Sequence, residues 1–210
     1  MQPERSGKRS AETTGLLYGV GAYGLWGLFP LYWKRLSSVP AFQILAHRIV
    51  WAFILTGVLS FALGRRKDMV ELFRQPKRLL ATMAAGVLVT ANWGIYIWAV
   101  NSGRIIETSL GYYLNPLVSV ALGAFVLRER IDRGIVAACG IATVGIAILA
   151  VSYGKLPWVA LTLAGTFALY GLIKKIVGLD ALSGLAMETA PVFPVALGFL
   201  VFEHAAGRGA

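Results

Sequence analysis

The sequence has little that staples a fold, holds a metal or solvates a surface. Its single cysteine, Cys139, excludes an internal disulfide framework. Two histidines, His47 and His204, together with that one thiol are too few soft ligands for a structural zinc site, so no metal is expected. Charged residues make up 14% of the chain, against about 25% in an ordinary soluble domain. Acidic side chains are the scarcest, ten against twenty Lys and Arg, which leaves a net charge of +10. There is no Ser-His-acid set, no HExxH pair and no phosphate-cradling glycine loop ending in Lys-Ser/Thr. Enzymatic catalysis is therefore not expected.

Apolar residues are what the chain has in plenty. They form 57% of its 210 positions, and the mean hydropathy is +0.69, a bilayer composition. Crossing roughly 30 Å of hydrocarbon takes about 20 apolar helical residues. Seven such runs lie between charged breaks: Gly15 to Trp33, Ala41 to Leu63, Leu79 to Val100, Ile105 to Leu127, Gly134 to Ser152, Leu156 to Ile173 and Ala181 to Phe202. They are continuously apolar rather than alternating, which argues against a membrane β-barrel. The expected fold class is an all-α polytopic membrane protein with seven transmembrane helices. Only the stretch from Gly64 to Arg78 is long and polar, so no soluble domain fits between spans. The first run follows Arg5, Lys8 and Arg9 as a signal peptide would. It is too long and too rich in aromatics for one, and it reads as a retained span.

The basic excess is an orientation signal. Short loops rich in Lys and Arg stay on the cytoplasmic side. The N-terminal segment, the second loop (Arg65, Arg66, Lys67, Arg74, Lys77, Arg78), the fourth (Arg128, Arg130, Arg133) and the sixth (Lys174, Lys175) hold fourteen of the twenty cations. The opposite side holds five, and Arg48 lies inside a span. The N-terminus is expected in the cytoplasm, and nucleic acid is not expected as a partner.

A faint internal repeat links the second and seventh runs. Both open on the pattern A-x-x-x-L-A, at Ala41 to Ala46 and Ala181 to Ala186. Upstream, Trp26-Gly27-Leu28 and Tyr170-Gly171-Leu172 repeat at a similar offset. Spans one to five would form one unit and span six would begin another. An odd unit enters the membrane inverted the second time, the arrangement from which transporters obtain two access states. Small residues also recur by chance in apolar sequence.

Ionisable groups inside a span are expensive and so become site candidates. His47 and Arg48 lie about 9 Å inside span two, where Arg48 either snorkels outward or meets a ligand. Glu107 sits just inside span four, within reach of Arg48 or Arg104, as a structural clasp or a ligand group. Glu188 lies a similar depth into span seven from the other side, as an interface carboxylate or a proton carrier. Span three adds Asn92, Trp93 and Tyr96, and span four adds Ser109, Tyr112 and Asn115, with Pro116 removing one helix hydrogen bond. Rings mixed with hydrogen-bonding groups suit a cavity for an amphipathic organic solute better than an ion filter. The alternative is that Asn and Ser bridge helices while the aromatics form an interfacial belt. Gly140 and Gly145 in span five, like the glycines of span one, are expected to mark close helix packing.

Three stretches are specific enough to carry a resemblance: Gly19 to Ala52 (GVGAYGLWGLFPLYWKRLSSVPAFQILAHRIVWA), Asn92 to Ile131 (NWGIYIWAVNSGRIIETSLGYYLNPLVSVALGAFVLRERI) and Ser152 to Leu161 (SYGKLPWVAL). They resemble the RarD permeases of the EamA family, in the drug/metabolite transporter superfamily. The resemblance implies a bacterial cytoplasmic-membrane secondary transporter without a cofactor, built from ten spans in two inverted five-span repeats. It also marks as family-typical Trp26, Pro30, His47, Arg48, Asn92, Trp93, Asn101, Gly103, Glu107, Ser109, Tyr112, Asn115, Pro116, Glu129 and Arg130.

The expected organisation is a cytoplasmic tail at 1–14, a complete first repeat at 15–152, the start of a second repeat at 153–203 and a polar tail at 204–210. Seven spans against ten lead to the expectation of a C-terminal truncation. The expected function is permease-type movement of small organic solutes across the bilayer by alternating access. Trp26, His47, Arg48, Asn92, Trp93, Tyr96, Glu107, Ser109, Tyr112 and Asn115 are the substrate-site candidates, and Glu107 and Glu188 the proton-coupling candidates. A non-transporting membrane protein, or a half-transporter that pairs with itself or a partner, is the alternative.

Overall fold

The computed structural model describes residues 3–36, 38–154 and 157–209, except the side chains at 3–12, 23, 26, 29, 30, 33, 34, 66, 68 and 153. All regular structure among them is helical. The chain divides into two units, Met1–Pro40 and Ala41–Ala210. The first is one helix, α1 (Pro3–Arg35), 33 residues long, or about 50 Å at 1.5 Å per residue. It begins upstream of Gly15, so the backbone of the expected tail is itself helical. The expected span Gly15 to Trp33 falls on α1, where several side chains lie outside the described set.

The second unit runs α2 (Ala41–Ala62), α3 (Arg66–Phe73), α4 (Pro76–Asn101), α5 (Ile105–Val126), α6 (Arg133–Tyr153), α7 (Trp158–Val177), α8 (Ala181–Thr189) and α9 (Phe193–Ala205). Local chemistry sets these limits. Pro76 sits in the first turn of α4, where no N–H is needed. Asp132 caps α6 by accepting from the Gly134 N–H, and Asp180 caps α8 by accepting from Leu182 and Ser183. Gly178 stops α7 at φ 65°, a left-handed backbone that suits glycine. The polar stretch after α2 is not plain loop, because α3 forms within it and buries Leu72.

Five helices, α2, α4, α5, α6 and α7, are long and apolar enough to cross a membrane. Helices α8 and α9 add a sixth crossing if the bent pair counts as one. The described residues therefore do not give seven unbroken spans. The run from Ala181 to Phe202 is bent by 56° between α8 and α9. Pro191 and Pro194 explain the break, since neither has an N–H to offer the carbonyls of Met187 and Ala190 one turn back. The chain turns instead, with the Val192 N–H reaching the Thr189 carbonyl at 3.2 Å.

Helix α4 packs against α2, α5, α7 and α8, α7 also lies along α5, and α2 carries α8 and α9. Buried apolar clusters are small: Ala46, Ile49, Val50 and Ala196 between α2 and α9, and Ala99, Val159 and Leu163 between α4 and α7. Large apolar side chains such as Phe125, Ile141 and Val151 point outward, as lipid solvation permits. Without a hydrophobic drive between helices, close backbone approach supplies the attraction. It does so at two glycines. A Cβ on Gly86 of α4 would stand 1.8 Å from the Glu188 carbonyl oxygen of α8, and one on Gly111 of α5 would meet Ala160 and Leu163 of α7 at 3.2 Å. Gly140 and Gly145, expected to pack closely, have open space where a Cβ would be; they lie on a helix with no buried residue in its membrane window.

Substituting Gly86→Ala is expected to destabilise the unit by at least about 3 kcal/mol, because backbone rather than a movable side chain blocks the methyl. The control Gly165→Ala, in open space, is expected to be neutral or stabilising by up to about 1 kcal/mol through helix propensity. Unfolding titrations in mixed micelles distinguish the two. Equal effects would mean that the α4–α8 approach is not tight.

Candidate functional site

Polar and aromatic side chains from α2, α4, α5 and α7 converge at one level of the second unit. On α2, Arg48 lies seven residues past Ala41, and on α4, Trp93 lies eight residues before Asn101. Each is thus about 10–12 Å from its helix end at 1.5 Å per residue. The Arg48 guanidinium carbon sits 3.2 Å above the centre of the Trp93 ring. Its head therefore stays at the depth of Trp93 instead of snorkelling to the helix end. The rings continue in edge-to-face contacts, Trp93 to Tyr96 at 5.6 Å and Tyr96 to Tyr112 at 5.7 Å. The result is a wall from α2 through α4 to α5.

Beside this wall, Asn92, Gly111, Tyr112, Asn115, Leu163 and Phe167 line a narrow cavity of about 10 Å³ between α4, α5 and α7. That is close to the space one water needs and far below the several hundred Å³ of an occupied small-molecule site. A solute enters only if the helices part. Pro116 makes α5 the pliable wall, for it lies inside that helix and leaves the Tyr112 carbonyl without its usual N–H.

Asn92 is buried and has both amide hydrogens engaged, donating to the Leu163 carbonyl at 2.9 Å and to the Thr166 hydroxyl at 2.8 Å. A carbonyl can only accept, which fixes the amide orientation. Asn92 thus bridges α4 to α7 and can offer a solute only its oxygen. Asn115 is half-buried at the cavity and accepts weakly from Ser119 at 3.4 Å. His47 and Ser109 are exposed and take no part in the wall. The Trp26 side chain lies outside the described residues.

The two carboxylates lie elsewhere. Glu107 is buried and pairs with Arg104 at 3.3 Å, while Arg104 also faces the Trp98 and Trp158 rings at 5.4 and 5.7 Å. Of the two arginines within reach of Glu107 in the sequence, Arg104 is the one that forms the ion pair. Glu188 is 2% exposed. It pairs with Lys174 at 3.2 Å and accepts from the Tyr170 hydroxyl at 2.9 Å, while Lys174 donates to that hydroxyl at 2.9 Å. Each side-chain polar atom of this α7–α8 triad thus has a partner within the triad. Nearby, Arg78 of α4 donates twice to the Val177 carbonyl at the end of α7, and Lys175 pairs with Glu129.

By sequence alone Lys174 is a loop cation. The signal for its role was the i,i+4 spacing of Tyr170 and Lys174 ahead of an intramembrane glutamate. The prolines at 191 and 194 were equally legible as the source of the α8–α9 break.

These helices belong to a known family. A sequence profile of the EamA-like transporter family matches residues 13–151. The chain belongs to that family. It is 47% identical over 197 residues to "Protein RarD" of Streptomyces exfoliatus, covering 94% of this chain and 62% of the relative. It is 46% identical over 205 residues to "Uncharacterized transporter YojE" of Bacillus subtilis strain 168, covering 95% and 69%. With "Protein RarD" of Escherichia coli K12 it shares 38% over 186 residues, 89% of the chain and 63% of the relative. The chain thus spans a little under two thirds of the length of the RarD relatives it matches. Its sequence is of the RarD type within that family, and its described residues form helices only, five of them long and apolar enough to cross a membrane. No solved structure matches it.

The net value of the Lys174–Glu188 pair depends on keeping both charges. Removing one partner of a buried pair leaves an uncompensated ion, at about 3–5 kcal/mol, whereas removing both is often close to neutral. Lys174 is partly open, so Glu188→Gln is expected near the lower figure. The double variant Lys174→Met with Glu188→Leu is expected to recover most of the loss in the same micelle titrations. A double variant as damaged as Glu188→Gln would contradict this account of the pair.

Proposed function

We propose that the chain acts as a secondary transporter of small organic solutes in the bacterial cytoplasmic membrane, by alternating access around the Tyr112–Asn115 cavity. The observation that carries the reading is the convergence of Arg48, Trp93, Tyr96, Tyr112 and Asn115 from three helices, in a chain whose relatives are named as transporters. Their names also favour a non-enzymatic role. Bacterial relatives support the assignment to a bacterial membrane.

Two inverted repeats, 15–152 and from 153 onward, supply the two access states. The repeat register supports this, because Ala41 and Ala181, equivalent in the A-x-x-x-L-A pattern, are each the first residue of a helix, α2 and α8. Opening toward the Lys- and Arg-rich end parts α7 and α8 from α4, and the Met187 and Ala190 carbonyls, left without a proline N–H, let α8 move as a short rigid piece. In that motion Glu188 exchanges Lys174 for a proton, the step through which transport couples to a pH gradient. Glu107, pinned by Arg104, is the second candidate for such a step at the other end.

The test is solute movement in proteoliposomes containing the full chain. A panel of aromatic and amphipathic metabolites is expected to yield at least one that crosses faster than in protein-free vesicles. Tyr112→Ala or Asn115→Leu is expected to slow that flux more than about tenfold, equivalent to about 1.4 kcal/mol. An imposed pH gradient is expected to drive it, and Glu188→Gln to abolish the drive while leaving downhill exchange. Flux indifferent to both carboxylates and to the gradient would remove the coupling step. No flux for any solute would remove the transport reading of this chain.

A further inference from the structure

Among the described residues, Arg48 is a cation that lies well inside a spanning helix and forms none of the ion pairs of the second unit. Glu107 is paired with Arg104, Glu188 with Lys174, Glu129 with Lys175 and Glu203 with Arg208. Among the described residues no carboxylate lies within 4 Å of Arg48. Its guanidinium has the Trp93 face on one side and the Tyr112 phenol as a further electrostatic neighbour. An aromatic face attracts a cation but does not neutralise it, and a full positive charge well inside a spanning helix is among the least tolerated groups in a membrane. Protein does not enclose Arg48 on all sides, so a solute can reach it. A cationic solute would add like charge at that point, and a neutral one would leave the cation unbalanced. An anion completes it, since guanidinium binds carboxylate in a planar fork while still stacked on an aromatic ring. From there the Trp93, Tyr96 and Tyr112 rings lead toward the cavity as one apolar surface.

We propose that Arg48 takes the carboxylate of an organic anion whose flat apolar body lies along the Trp93–Tyr96–Tyr112 wall. The inference rests on the permease reading of the same site and adds to it the substrate class, aromatic or amphipathic monocarboxylates. The inverted-repeat equivalent of Arg48 is Glu188, whose charge Lys174 already balances. The anion is thus required at one of the two equivalent positions only.

The test compares three probes of one shape and three charges, 4-phenylbutyrate, 4-phenylbutanamide and 4-phenylbutylamine. Each is titrated by calorimetry and tryptophan fluorescence into the full chain in lipid nanodiscs. The carboxylate is expected to bind roughly tenfold or more tighter than the amide, the scale of a charge-assisted hydrogen bond, and the amine weakest. Arg48→Gln is expected to bring the carboxylate to the level of the amide, and Arg48→Lys to keep part of the preference. Retained helicity and a monodisperse elution profile qualify each variant. Equal binding of carboxylate and amide by the unaltered chain, or a preference that survives Arg48→Gln, overturns the anion assignment and leaves the permease site standing. Binding of none of the probes, or binding untouched by Trp93→Ala and Tyr96→Ala, overturns the site and the assignment with it.

Discussion

Glu188 is held twice, and the helix arrangement of the second unit follows from it. Its carboxylate is fixed by Lys174 and Tyr170 of α7, and its backbone carbonyl rests on α4 where only glycine, Gly86, leaves room. One residue of α8 therefore locks two neighbours. In hydrocarbon, where no water is available to take over a lost partner, this double hold is stronger than its individual contacts would be on a soluble surface. Because α7 lies along both α4 and α5, the lock on α4 and α7 and the Gly111 approach of α5 to α7 together hold the cavity walls close. A closed cavity with room for about one water is the consequence. Parting α7 and α8 from α4 is the motion that would admit a solute.

Charge is distributed in the same economical way. Arg104 with Glu107, Arg78 on the end of α7 and Lys175 with Glu129 gather near helix ends, where partners or water are near. Arg48 is the exception, held at depth over Trp93. A cation–π contact contributes about 0.5–2 kcal/mol, while placing an arginine in the middle of a spanning helix costs about 2.5–3.5 kcal/mol or more. The contact does not offset that alone. An arginine kept there against its own solvation, beside a continuous aromatic wall, is the feature on which the proposed solute site rests.

Much of the architecture was legible in the sequence. Helices α2, α4, α5 and α6 lie within a few residues of the expected spans, because continuous apolar runs bounded by charge leave little freedom. The bend near Pro191 was hidden by counting hydropathy alone: Pro, Val and Phe keep a window apolar, while backbone donors, which hydropathy ignores, decide whether the helix continues. Helix α3 was hidden for the opposite reason, since its charged residues mask one buried leucine, Leu72. Site membership was less legible than composition suggested. Asn92 reads as a solute-orienting amide, yet both its donors go to α7. Glycine spacing misled at Gly140 and Gly145 and was silent at Gly86, because close packing depends on which face meets a neighbour, a property of tertiary structure.

The proposed alternating access requires a cavity that opens in turn to the two sides of the membrane. Its most direct test uses Cys139 as the sole native cysteine. In a Cys139→Ala chain carrying Asn115→Cys, oriented in sealed vesicles, a membrane-impermeant thiol reagent is applied from one side and then the other. Labelling from each side, slowed on both by a transported solute, is the predicted result. Labelling from one side only, unaffected by any solute, would contradict it.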